Sequence, residues 1–270
     1  MMNQTITFIG GGNMARALIG GLVKAGVRAD LITVADPSAA QRNAAETDFG
    51  INSSGDNATA VAGARAIVLA VKPQIMSEVL ASIRASLRPD CLVISVAAGV
   101  TLEAMANGLG RTDALVRAMP NTPALYGAGI TGLVASPGID ENDRQLADQI
   151  LGSAGHTVWL DDEALMDVVT AVSGSGPAYF FALTEHLARA GEKSGLDGPT
   201  AALLARQTAV GAGAMLDQSA IAAGELRRLV TSPGGTTEAA LESLAADGLD
   251  ELIKRAVDAA VRRGLELGKA

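Results

Sequence analysis

Over residues 1–160, hydrophobic positions gather in short runs rich in β-branched residues, separated by stretches with helical spacing. The runs 5–9, 31–35, 66–71, 91–96, 115–118, 130–135 and 156–160 predict strands. Run 66–71 is apolar throughout, as expected of a strand covered on both faces. Between the runs, 15–25 is an amphipathic helix and 140–153 a polar-periodic one. Strand signals stop after Leu160. Asp161-Asp-Glu163 opens a helix, and the rest is helical apart from glycine loops. The pattern predicts an α/β chain: a doubly wound, Rossmann-type sheet domain over 1–161, then an all-helical domain over 162–270. The predicted helix 199–218 is apolar on nearly every side, its blocks 201–205 and 209–216 flanking Arg206 and Gln207. Such a helix must be surrounded by protein, and so small a domain hardly encloses it alone, so a second subunit is expected to cover it.

Composition narrows the function classes. The chain is 49% hydrophobic but 3% aromatic, so the core must be built from Ala, Val, Leu and Ile. A net charge of −8 argues against a nucleic-acid partner. Cys91 is the single cysteine, which fits a reducing compartment and excludes an internal disulfide. The absence of a signal-type start and of a membrane-length apolar run predicts a soluble, cytoplasmic protein with no membrane partner. His156 opens a strand and His186 sits mid-helix, so no metal site is expected. Glu185 and Arg189 stand at i,i+4 spacing, as in a surface ion pair.

Strand 5–9 ends at Gly10-Gly-Gly-Asn-Met-Ala15 and a helix follows, the context that a dinucleotide fingerprint requires. Gly10 makes the turn, Gly12 lets backbone approach a pyrophosphate, and Ala15 is small enough for helix–strand contact. Asp36, at the end of run 31–35, either holds a ribose 2′-OH, leaning toward NAD, or caps the next helix. Ser38 and Arg42 behind it are candidates to accept a 2′-phosphate. The tips Lys72-Pro-Gln74 and Ala97-Ala-Gly99 fall at carboxyl ends of strands, where an open parallel sheet binds ligands. In the helical half, Ser173-Gly-Ser-Gly-Pro-Ala178 is a loop whose Pro177 suits a first helical turn, capped by Ser175 or Gly176. Thr231-Ser-Pro-Gly-Gly-Thr-Thr-Glu238 is a tight loop feeding a helix N-terminus, a natural place for a carboxylate, with the hydroxyls of Thr231, Ser232 and Thr237 around it.

With these motifs the chain resembles pyrroline-5-carboxylate reductase nearly end to end, through Ile9-Gly-Gly-Gly-Asn-Met-Ala15, Ala70-Val-Lys-Pro-Gln74, Met119-Pro-Asn-Thr-Pro-Ala124, Ser173-Gly-Ser-Gly-Pro-Ala178 and Thr231-Ser-Pro-Gly-Gly-Thr-Thr237. The resemblance implies reduction of 1-pyrroline-5-carboxylate to proline with NADPH or NADH. It implies that Gly10, Gly11, Gly12, Asn13 and Met14 hold the pyrophosphate and that Ala70, Val71, Lys72 and Pro73 border the nicotinamide ribose. Asn57 would contact the adenosine ribose or its phosphate, and Ala97 and Ala98 would line the nicotinamide side. Ser232, Gly235, Thr236 and Thr237 would take the substrate carboxylate, with Thr237 also orienting the ring nitrogen as the catalytic hydroxyl. It further implies a homodimer through the helical domain, with larger rings of dimers in some members.

Two rival readings compete. A 3-hydroxyacid dehydrogenase of the same plan would use a lysine after the domain boundary, where the chain offers Lys193 beside Glu192. A cofactor-sensing, non-enzymatic protein would need no second glycine- and hydroxyl-rich loop.

Overall fold

The computed structural model describes residues 3–268. Its sheet contains β1 (Ile6–Ile9), β2 (Ile32–Ala35), β3 (Asn52–Ser54), β4 (Ala66–Leu69), β5 (Leu92–Ser95), β6 (Leu115–Met119), β7 (Gly129–Ala135) and β8 (Gly155–Trp159). Their spatial order is β3-β2-β1-β4-β5-β6-β7-β8. Strands β1 to β6 run parallel, with Ile6 opposite both Ile32 and Ala66. Strand β7 is antiparallel to β6, and β8 follows β7 in parallel. The reversal has a local cause: the connection 120–128 is shorter than the roughly dozen residues that a parallel crossover needs.

Seven helices of this part are α1 (Asn13–Lys24), α2 (Ala39–Phe49), α3 (Asn57–Val61), α4 (Met76–Ile83), α5 (Leu102–Leu109), α6 (Glu141–Leu151) and α7 (Met166–Val169). Side chains alternate across the sheet, so neighbours in one strand enter different cores. Phe8, Val34, Val68 and Ile94 meet Leu18, Ile19 and Leu22 of α1 and Ile150 of α6. Ile9, Ile67, Leu69 and Val93 meet Met76, Leu80 and Ile83 of α4 and Met105 of α5. Burial of each such side chain is worth roughly 1.5–3 kcal/mol.

All seven expected strands are present, and β3 is an addition. Its Asn52-Ser-Ser54 sequence is polar because it lies at the sheet's edge, paired on one side with β2. Strand order therefore gave no hydrophobic signal there. Helix α6 is capped by Asp140, which accepts from the Asp143 N–H at 2.7 Å. Asp143 is itself buried and paired with Arg65 at 2.6 Å.

The chain forms two compact units. Among the described residues, one unit comprises those up to Gly174 together with Ala260 to Gly268; the other is Ser175–Ala259. This division departs from the expected boundary at 161. Strands do end at Trp159, but the following segment packs on the sheet: Asn121 donates to the Ser173 carbonyl at 3.1 Å, and Val169 lies against Gly132 of β7.

The second unit is helical: α8 (Gly176–Lys193), α9 (Gly198–Gln218), α10 (Ala223–Leu229), α11 (Thr236–Ala246) and the first part of α12 (Leu249–Leu267). Asp197 caps α9 by accepting from the Thr200 N–H. Ala201 and Ala205 of α9 are buried, and Ala201 lies close to Gly191 of α8. The remainder of this surface is unusually apolar. Phe181 is 70% exposed, Leu203 66% and Val210 58%.

Candidate active site

Strand order reverses at β1, which separates β2 from β4, so the carboxyl ends of these strands diverge and leave a crevice. A cleft of about 640 Å³ opens there. Gly10 lies at its floor with φ +95°, and a Cβ there would come within 2.6 Å of the Ala70 carbonyl oxygen. Only glycine combines that dihedral with that approach. Gly12 has extended backbone and meets no atom within 4 Å of the place a Cβ would occupy. It lines the cleft, so the space in front of it is free for a pyrophosphate, next to the first amides of α1. Ala15 is fully buried behind it. The strand–glycine–helix geometry thus fits a dinucleotide.

Asp36 lines the same cleft. One carboxylate oxygen accepts from the Gly11 N–H and the other from the Ser38 N–H, both at 2.8 Å. Its role as a helix cap is ruled out, because the side chain of Ser38 caps α2, accepting from the Gln41 N–H at 3.4 Å. Arg42 turns back onto the chain and donates to the carbonyls of Asp36, at 2.8 Å, and Pro37, at 3.1 Å.

Asn57, Ala70, Val71 and Lys72 also line the cleft. Asn57 opens α3 and donates to the Ser82 hydroxyl at 3.4 Å. The cap of α3 is Asp56, whose hydrogen bond from Thr59 holds its carboxyl below the usual carboxylate range. Asn13 and Met14 form the first turn of α1, and Pro73 starts the 3-10 turn Pro73–Ile75. Ala97 and Ala98 follow β5; Ala97 is buried and Ala98 exposed, and neither lines this cleft. Deeper support comes from Arg117 of β6, which donates to Glu163 at 2.8 Å. The same Glu163 oxygen accepts from the Leu102 N–H at 2.9 Å, tying β6 to the start of α5.

In the second unit, Gly234 takes φ +69° and Gly235 caps α11, which begins at Thr236. The Gly234 N–H donates to Glu238 at 2.6 Å, so the glutamate one turn into the helix closes the loop. The Gly235 N–H donates to the Ser232 carbonyl at 3.0 Å, and the Thr231 hydroxyl to the Arg227 carbonyl at 2.7 Å. One of the expected carboxylate donors, the Gly235 amide, is therefore engaged within the loop. The amides of Thr236 and Thr237 have no partner among the described residues, and the side chains of Ser232, Thr236 and Thr237 are exposed. Glu238 was missed in the sequence, although its place four residues after Gly234 resembles a reciprocal cap. The loop before α8 winds as a π-turn over Thr170–Gly174, with Pro177 in the first turn of α8 as expected. Lys193, needed by the hydroxyacid reading, is exposed at the last residue of α8.

Residues 163–267 match the family model described as pyrroline-5-carboxylate reductase dimerisation, and 5–99 match NADP oxidoreductase coenzyme F420-dependent. The chain is 47% identical to a pyrroline-5-carboxylate reductase of Pseudomonas aeruginosa, over 100% of this chain and 98% of that one. Among solved structures, a pyrroline-5-carboxylate reductase of Coxiella burnetii is 40% identical, with a TM-score of 0.95 over 98% of this chain and 99% of that chain. A Plasmodium falciparum pyrroline carboxylate reductase with NADP bound is 30% identical, with a TM-score of 0.83 over 99% of each.

Proposed function

This chain belongs to the pyrroline-5-carboxylate reductase family, and from that membership we propose that it reduces 1-pyrroline-5-carboxylate to L-proline, the last step of proline biosynthesis, using NADPH or NADH. The observation that carries the reading is 47% identity over the full length to a reductase of this name, joined to a cleft shaped for a dinucleotide. The bound cofactor supplies a hydride to the imine carbon.

The residues of this chain bind and orient. Gly10, Gly11, Gly12, Asn13 and Met14 form the pyrophosphate end, where the open space before Gly12 faces the start of α1. Asp36 and Asn57 flank the adenosine ribose, while Ala70, Val71, Lys72 and Pro73 border the nicotinamide ribose. Ala97 and Ala98 complete the nicotinamide side. In the second unit the substrate carboxylate sits at the N-terminus of α11, on the free amides of Thr236 and Thr237 and the Ser232 hydroxyl. Gly235 contributes by shaping the loop, since its N–H is spent on Ser232. Thr237 orients the ring nitrogen. A protonated imine needs no strong acid: as hydride adds to carbon, the C=N pair collapses onto nitrogen as its lone pair. Positioning therefore supplies much of the rate.

The protein is a homo-oligomer, in keeping with its dimerisation segment. We assign the dimer contact to the apolar surfaces of α8 and α9, with rings of dimers as a further level of assembly. The lone Cys91, buried and unpaired, fits the reducing cytoplasm.

The test is an assay of purified protein with pyrroline-5-carboxylate and, separately, a 3-hydroxyacid. Loss of reduced-nicotinamide absorbance with matching proline formation is expected. Turnover of the hydroxyacid alone, or of neither compound, would replace the assignment.

A further inference from the structure

The segment after β5 stands beside the cofactor cleft. Strand β5 pairs in parallel with β4, and the Val96 N–H donates to the Leu69 carbonyl at 3.1 Å. The residue after Leu69, Ala70, lines the cleft. Residues 97–101 therefore leave the sheet one strand over from the cleft wall, at the carboxyl edge where an open parallel sheet takes its ligand. None of them is in a strand or helix, and Gly99 among them has φ +77°, so contacts from elsewhere must set their shape.

Those contacts grip the segment at both ends and in the middle. At its start the Ala97 N–H donates to the hydroxyl of Ser95, a fully buried residue, at 3.3 Å. At its end the Leu102 N–H donates to Glu163 at 2.9 Å, and the same carboxylate oxygen accepts from Arg117 at 2.8 Å. Arg117 lies opposite Ser95 in the β5–β6 pairing, so both holds are anchored in one pair of strands. A buried guanidinium needs a carboxylate partner, so Arg117 keeps Glu163 in this place. In the middle, the Leu267 carbonyl and Gly268 of the α12 end lie 3.7 Å from the point where a Cβ of Gly99 would stand.

We propose that Glu163, held by Arg117, is a positioning residue for the nicotinamide: with Ser95 it fixes residues 97–101 so that Ala97 and Ala98 meet the ring in one place. Glu163 itself does not line the cleft and acts through the Leu102 amide. The inference rests on the proposed reading of Ala97 and Ala98 as the nicotinamide side. A loosened segment leaves the adenosine end of the dinucleotide bound and frees the reacting end, where a misplacement of about 1 Å costs on the order of a hundredfold in rate.

Calorimetric titration of the full-length chain with two ligand pairs tests it: NADH against ADP-ribose, and NADPH against 2′-phospho-ADP-ribose, the second member of each lacking the nicotinamide. In Glu163→Ala the dinucleotides should bind about tenfold more weakly, while the compounds without nicotinamide stay within about twofold. Glu163→Gln keeps an amide oxygen for the Leu102 N–H and should recover most of the loss. Should Glu163→Ala fail to fold with Arg117 unpaired, Ser95→Ala carries the test, with the same pattern at about threefold or more. Equal losses on both members of a pair, unchanged dinucleotide affinity in the folded variants, or no recovery in Glu163→Gln would each overturn the proposal and leave the dinucleotide reading in place. A wild-type chain that binds none of the four compounds would overturn that reading, and the proposal with it.

Discussion

At the scale of single residues, the glycine loop separates two demands that look alike in sequence. Gly10 is required by the fold, since its φ of +95° and its approach to Ala70 leave no room for a side chain. The protein itself makes no such demand at Gly12, because a Cβ there would meet no protein atom within 4 Å; on the proposed dinucleotide reading it is the ligand that requires glycine. Gly12→Val should therefore keep its melting temperature and lose dinucleotide binding, whereas Gly10→Val should lose stability as well. Thermal melts beside cofactor titration separate the two.

Thr237 makes a similar distinction in the second unit. Its hydroxyl closes no cap in α11, so Thr237→Ala and Thr237→Val should leave stability nearly intact. A well-placed hydrogen bond to a charged group is worth roughly 1.5–3 kcal/mol. Both variants should thus lose on the order of ten- to a hundredfold in kcat/KM. Ser232→Ala should act mainly on KM, as a contact present in ground and transition states alike. Steady-state kinetics of the three check this, and unchanged constants in all would take the loop out of the substrate site.

Cys91 offers a third residue-level check. Burial pushes its thiol from 9.0 up to about 12. Below pH 9 the thiol is neutral in both folded and unfolded chains and has no pH effect. As pH rises from 9 toward 12, the unfolded thiol ionises while the folded one stays protonated, so folding loses stability through that window. At pH 8 an alkylating reagent should label Cys91 only after denaturation, which mass spectrometry reads directly.

Among elements, α9 shows what hydrophobic spacing does and does not reveal. Its near-absence of charge predicts cover on all sides, but within one chain just Ala201 and Ala205 of the helix are buried. A charge at these sites and one on the outward face should have different effects. Ala205→Glu places a carboxylate against α8 and should unfold the second unit. Ala209→Glu lies on the exposed face and should weaken subunit association with the helical circular dichroism preserved. Light scattering and far-ultraviolet spectra of the pair distinguish the outcomes; a dimeric Ala209→Glu protein would move the interface elsewhere. The loop before α11 holds a further element-scale device. Glu238 reaches back to the Gly234 amide, so the loop's shape depends on a residue already in the helix.

For the whole molecule, the apolar strand runs, the glycine turn, the caps and the family motifs were legible in sequence, because each is a local pattern with a local physical cause. Alternation decides which strand residues face each core, and the Gly10–Ala15 spacing marks the dinucleotide end of the sheet. The polar strand β3 was not legible: an edge strand paired on one side has no need of apolar residues. The antiparallel turn into β7 was implicit in a connection too short for a crossover, but strand pairing decides it. The clamp on Asp36, the withdrawal of Arg42 and the engaged amide of Gly235 lay beyond any sequence reading. Each depends on where a hydrogen-bond partner distant along the chain, or across a turn, comes to rest. Sequence alone thus determined the family and the α/β plan, because spacing and residue type encode them. Tertiary structure alone decided which of the candidate side chains are spent on the protein and which are left for the ligand, because a donor or acceptor is free only when no closer partner has taken it.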